Sequence, residues 1–166
     1  VVIQAVTGTD KEGVVAVDDI LINPGKCDTP LSCTFDDGLC LWTQLDDDTL
    51  DMEVVHKYHQ LHDHTHGDDS GSFMILKIGD PEHAGDTAAI MSESILLTDK
   101  SCLSFWWNMN GSGLGKFRVK RIIPDTGFEK IIWEVQGEKT NATAWRYGCV
   151  TVWKVNSDSN VCSLYI

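Results

Sequence analysis

No stretch of this chain keeps an apolar period of 3.6 residues for three clean turns, so long helices cannot be its framework. It has instead short runs rich in β-branched and aromatic residues, at 14–21, 72–78, 102–109, 116–123, 130–135, 150–155 and 161–166, several of them alternating with polar residues. Turn-forming clusters punctuate the runs: Asn23-Pro24-Gly25, Gly111-Ser112-Gly113, Pro124-Asp125-Thr126-Gly127 and Asn156-Ser157-Asp158-Ser159-Asn160. This rhythm predicts an all-β fold, a jelly-roll β-sandwich of two antiparallel sheets. With 166 residues the chain can build one full hydrophobic core, and one domain is expected.

Cysteine usage sets the compartment. Cys27, Cys33, Cys40, Cys102, Cys149 and Cys162 are an even number, and their spacing fits neither a zinc ribbon nor a CxxC redox motif. Disulfides are therefore expected, and with them an extracellular location, in a secreted protein or the ectodomain of a cell-surface protein. Two glycosylation sequons, at Asn110 and Asn141, point the same way. No run is apolar enough to span a membrane, so no direct insertion of this segment is expected. The chain starts at Val without a signal-peptide pattern, which is expected of a piece of a longer protein. A net charge of −12 with no basic cluster argues against nucleic acid as a partner.

Six tryptophans, Trp42, Trp106, Trp107, Trp133, Trp145 and Trp153, are expected mostly to pack in the core or on strand faces. The doublet Trp106-Trp107, if on a strand, must point to opposite faces, leaving one indole partly exposed. Five histidines, His56, His59, His62, His64 and His66, crowd one polar segment. Zinc is disfavoured there against exposed imidazoles, and no HExxH motif accompanies them. No GxSxG nucleophile is present, and no Ser, His and Asp set stands out by context, so the chain is not expected to be an enzyme.

From Cys33 onward the chain carries CTFDDGLCLWTQLDDDTLD, HDHTHGDDSGSFMIL, GDTAAIMSESILL, CLSFWWNMNGSGLGKFRV and IIWEVQGEKTNATAW. In order and approximate spacing these blocks resemble the MAM domain, of the meprin, A5 neuropilin and receptor phosphatase mu type, over residues 33–166. Residues 1–27, VVIQAVTGTDKEGVVAVDDILINPGKC, resemble the strands that end a MAM domain, with 28–32 as a linker. That block stands ahead of the body, where the family places it last. Either it completes this jelly roll in permuted order, the reading we favour, or it is the tail of a preceding repeat.

The resemblance implies a Cys33–Cys40 disulfide and pairs Cys102 with the family's closing cysteine, matched here by Cys27. Cys149 and Cys162 are left to pair across a hairpin inferred for residues 150–166. Asp18, Asp19, Asp36 and Asp63 fall in the blocks matching the family's DDI, FE and DHT elements. If these blocks converge, the resemblance implies a structural Ca2+, with Na+ as the alternative, against a hydrogen-bonded acidic pocket. Asp36 stands where the family usually has Glu, one methylene longer.

The expected function is that of an extracellular, non-catalytic interaction module with a protein partner, homophilic in one version, serving adhesion or oligomerisation. Two alternatives stand beside it: a carbohydrate-binding jelly roll with an exposed tryptophan, and an accessory domain of a secreted protease.

Overall fold

The computed structural model describes residues 2–9, 13–23, 32–78, 84–96, 100–123, 126–137, 139–153 and 161–165. Among them there are strands and no helix. The strands are β1 (Val2–Thr7), β2 (Gly13–Asn23), β3 (Trp42–Gln44), β4 (Glu53–Val55), β5 (Lys57–Tyr58), β6 (Leu61–His62) and β7 (Phe73–Ile78). They continue with β8 (Thr87–Leu96), β9 (Lys100–Asn110), β10 (Leu114–Ile123), β11 (Phe128–Gln136), β12 (Arg146–Trp153) and β13 (Val161–Tyr165). Each of the seven runs read from the sequence overlaps a strand. β8 is not among them: its TAAIMSESIL is rich in residues with little strand preference, and pairing with three strands, β1, β13 and β3, makes it a strand.

The strands form two main antiparallel sheets, a sandwich as expected, plus the small β5–β6 hairpin. One sheet runs β12-β9-β2-β7-β4. The other runs β1-β10-β13-β8-β3, with β11 on the far side of β10 and a further β1–β8 pairing. The alternation of β9 sends Leu103, Phe105, Trp107 and Met109 inward, where they meet Ile3, Ala5, Phe117, Val119 and Ile90 of the facing sheet. Against this core the partly buried Trp133 of β11 lies edge-on to Phe105 at 5.1 Å and to Trp107 and Phe117 at 5.5 Å each. Gly148 is obligatory there, because a Cβ would sit 2.6 Å from the Phe105 ring.

Residues 2–23 contribute to both sheets. β2 lies inside the five-stranded sheet, between β7 and β9. β1 and β13 share a single slot between β8 and β10. β13 enters it with Ser163, Leu164 and Tyr165 opposite Ile122, Arg121 and Lys120. β1 continues in the same direction, with Val2 opposite Lys120 and Val6 opposite Lys116. Met91 of β8 partners both Tyr165 and Val2, so the two ends of the described chain meet within one strand position.

A disulfide joins Cys33 to Cys40, and a second joins Cys102 to Cys149. The second replaces the two pairings Cys27–Cys102 and Cys149–Cys162. Register is the reason: Cys102 faces Thr151 and Cys149 faces Ser104 across β9 and β12. The two cysteines are thus diagonal neighbours on one face, with Cα atoms 6.7 Å apart. The inferred hairpin does not form, because β12 lies in the five-stranded sheet and β13, with Cys162 opposite Ile95, in the other. Cys27 lies outside the described residues.

Because the ends meet in one slot, a circular permutant that joins residue 166 to residue 1 by a short Gly-Ser linker, and opens the chain within 28–32, is expected to fold. Its Tm should stay within about 8 °C of the parent, the effect of roughly 1–2 kcal/mol in a domain of this size. An aggregated or unfolded permutant in circular dichroism would reject the shared slot.

Candidate functional site

The five-stranded sheet buries part of its outer face as well. Val14 and Ala16 of β2 and Phe73 and Ile75 of β7 point outward, and Leu61, Tyr58, Val55 and Trp145 cover them in a second, smaller core. Leu61 and Tyr58 of this cover belong to the histidine-rich segment 56–71, a flap pinned by polar contacts that start at a break in β2. The β2–β9 ladder shifts register between Asp18 and Leu21, and Asp19 takes a positive φ of 49°, a conformation Asp tolerates better than most residues.

Asp18 is fully buried. Its Oδ1 accepts the N–H of Asp19 at 2.7 Å, and its Oδ2 accepts the backbone N–H of His64 at 2.6 Å. Asp19, swung out by the break, meets His64 Nδ1 at 2.6 Å through Oδ2 and accepts the Thr65 hydroxyl through Oδ1. Asp63, also buried, accepts the N–H of His66 at 2.7 Å and of Asp68 at 3.3 Å, and its Oδ2 lies 3.1 Å from His66 Nδ1. Asp36 accepts the N–H of Ser72 at 2.8 Å. Gly71 closes the pocket, since a Cβ there would collide with the Asp63 carboxylate and His66 Nδ1.

The structure therefore ties Asp18 and Asp19 to the 63–66 turn, and Asp36 to the strand entry beside it. Their contacts are those of a hydrogen-bonded acidic pocket. Among the described residues no three His, Cys, Asp or Glu side chains are grouped so as to hold a metal ion. The histidines take separate partners: His56 contacts Gly71 O and Ser72 Oγ, His62 contacts Asp69, His64 Asp19 and His66 Asp63. His59 is exposed and lies edge-on to Tyr58.

The tryptophan doublet divides as strand geometry requires. Trp107 is buried between the sheets, while Trp106 is half-buried on the outer face. The His64 ring stacks on Trp106 at 3.8 Å with planes 15° apart. Trp145 donates its indole N–H to His62 O at 2.9 Å and packs edge-on against Phe73. Beyond the flap, a cleft of about 390 Å³ opens beside the β2 break, between Asp19, Leu21, Thr34, Ser104, Trp106 and Tyr147. Tyr147 carries no signal in the sequence. It becomes part of a site only through the β9–β12 register, which sets it opposite Trp106.

Residues 33–162 match the family model for the MAM domain, meprin/A5/mu. The chain belongs to the MAM family. It is 29% identical over 142 residues to MAM domain-containing protein 2 of Mus musculus, covering 77% of this chain and 20% of that protein. The human protein of the same name is 28% identical over 148 residues, again covering 77% and 20%. Neuropilin-1 of Xenopus laevis is 30% identical over 123 residues, covering 70% of this chain and 13% of that protein. The chain thus spans a fifth or less of these relatives, and the MAM match begins after the β2 strand that carries Asp18 and Asp19.

Burial raises the Asp18 pKa from 3.8 to about 8, against the opposing effect of the His64 N–H. Between those values the folded protein keeps a proton that the unfolded chain releases, so stability falls as pH rises through the window. Chemical denaturation in metal-free buffer should show lower stability at pH 8.5 than at pH 5.5, by at least about 1.4 kcal/mol, one pKa unit's worth. His66, held above its usual value by its hydrogen bond to Asp63, acts with the same sign. Asp18→Asn separates the two by flattening most of the slope. A stability that is level or rises across this range would contradict a buried protonated Asp18.

Proposed function

We propose that this MAM module is an extracellular, non-catalytic contact domain that binds a protein partner in adhesion or oligomerisation. The observation that carries the reading is the outer face of β12 and β9. Tyr147 and Trp153 are 57% and 58% exposed there, and Trp106 lies half-exposed beside Tyr147. Exposed aromatic surface rimmed by polar residues is characteristic of protein-binding faces. Around it the molecule is built as a scaffold: two sheets, two disulfides and a pinned flap hold the face in place.

The sequons fit a secreted glycoprotein to different degrees. Asn141 is exposed, with its Oδ1 facing the N–H and hydroxyl of Thr143. Asn110 donates its side-chain amide to Thr140 O at 3.2 Å. A glycan on the side-chain nitrogen of Asn141 leaves both Oδ1 contacts with Thr143 intact and marks a side of the molecule excluded from a tight interface.

The homophilic version is tested by sedimentation velocity up to about 100 μM, where a contact of micromolar Kd populates dimer. Dimer weakened by Tyr147→Ala and Trp153→Ala is the expected result; monomer throughout removes homophilic contact. A structural calcium ion, or sodium in its place, is proposed for the acidic pocket on the family resemblance, with Asp18, Asp19, Asp36 and Asp63 as its oxygen donors. Entry of the ion would require these carboxylates to give up N–H contacts. Millimolar calcium over chelator is expected to raise Tm by several degrees, and an unchanged Tm would leave the pocket to hydrogen bonding.

A further inference from the structure

We infer that the cleft beside the β2 break receives a basic side chain, arginine above all, presented by a protein partner; the inference rests on the reading of this module as a protein-contact domain.

The cleft is built around two aromatic rings. Trp106 and Tyr147 face each other across β9 and β12, with ring centroids 5.4 Å apart and planes 60° apart. They form a corner, open to solvent on the side of the exposed Tyr147. The indole is held in position from its other side. His64 stacks on it at 3.8 Å, and Asp19 fixes His64 at 2.6 Å. A rigid aromatic corner costs little ordering entropy when a ligand enters.

The charge around it is one-sided. Among the described residues lining the cleft, Asp19 is the charged one and none is Lys or Arg, on a chain of net charge −12. Lys116, Arg118 and Lys120 belong to β10 in the opposite sheet, where they pair with Glu134 and Glu129. Among the described residues lining the cleft, an incoming cation therefore meets one carboxylate and no competing basic side chain. Aromatic faces attract a guanidinium through their quadrupole and by stacking on its plane.

The same features disfavour a saccharide. A sugar ring needs a flat platform and free, directed acceptors for its hydroxyls. Here the rings are tilted, and both oxygens of Asp19 are already engaged, by His64 and Thr65. A guanidinium stacked on aromatic faces needs no free, directed acceptor. A volume of about 390 Å³ accommodates a guanidinium and its stem. Arginine is also among the residues that dominate interface energetics once seated in such a pocket.

The test is amide and indole NMR of the full chain titrated with N-acetyl-arginine methylamide, its uncharged citrulline counterpart, and methyl glycosides of glucose, galactose, mannose and N-acetylglucosamine. We expect the Trp106 indole and Tyr147 amide signals to shift with the arginine probe, with affinity in the millimolar range. Citrulline should bind about tenfold more weakly, and Tyr147→Ala should cost a similar factor. Trp153→Ala, on the same strand but outside the cleft, should bind as the parent does. No shift with the arginine probe, equal binding of citrulline, or shifts with a glycoside alone would each overturn the inference. If the arginine probe fails while Tyr147→Ala still weakens self-association, the contact-domain reading stands and this assignment falls.

Discussion

The architecture of the outer face of the five-stranded sheet depends on one buried carboxylate. Asp18 sits where β2 breaks step with β9, and its two oxygens take the N–H of Asp19 and the N–H of His64. The first bond turns the chain, and the second ties down the 56–71 segment. A carboxylate fully removed from water is costly unless it is hydrogen-bonded, neutralised or both. Here both apply, since its pKa is pushed up to about 8. The flap and the strand are thereby held in one arrangement, and Asp19, His64 and Trp106 follow in sequence as a contact chain.

That chain divides the outer face of the five-stranded sheet into two regions. One half is covered, with Val14, Ala16, Phe73 and Ile75 buried beneath Leu61, Tyr58 and Trp145. The other half, along β12 and the neighbouring part of β9, keeps aromatic residues at the surface. The difference is not one of composition, since both halves carry apolar side chains. It arises from where the flap can reach once it is fastened at Asp18 and Asp63. The exposed aromatic surface is therefore a property of the sheet region beside the flap.

The N-terminal block has a structural weight that its distance from the MAM match conceals. The family match begins at residue 33, yet β1 and β2 lie inside the two sheets, and β2 supplies Asp18 and Asp19. β13 and β1 lie end to end in one slot, running in the same direction. Backbone pairing is indifferent to the order in which strands occur along the chain, so a block from one end can complete a sheet whose other strands come from the opposite end. The Cys102–Cys149 bond has the same local logic, since cysteines two residues off register on neighbouring strands are within bonding reach.

The class of fold was legible in the sequence because period and punctuation are local properties: β-branched runs and turn clusters announce strands wherever they occur. The opposed faces of Trp106 and Trp107 followed from strand geometry alone, and the family blocks marked Asp18, Asp19, Asp36 and Asp63 as positions of interest. The pairing of Cys102 with Cys149, the loss of the 150–166 hairpin, the strand β8 and the meeting of Trp106 with Tyr147 were not legible. Each depends on which strands become neighbours and in what register, and one residue of slip moves every side chain to the opposite face. Sequence thus determined the elements and the chemistry available to them, while long-range pairing decided which of those groups share a surface, because contacts between distant residues are set by the energy of the whole sandwich.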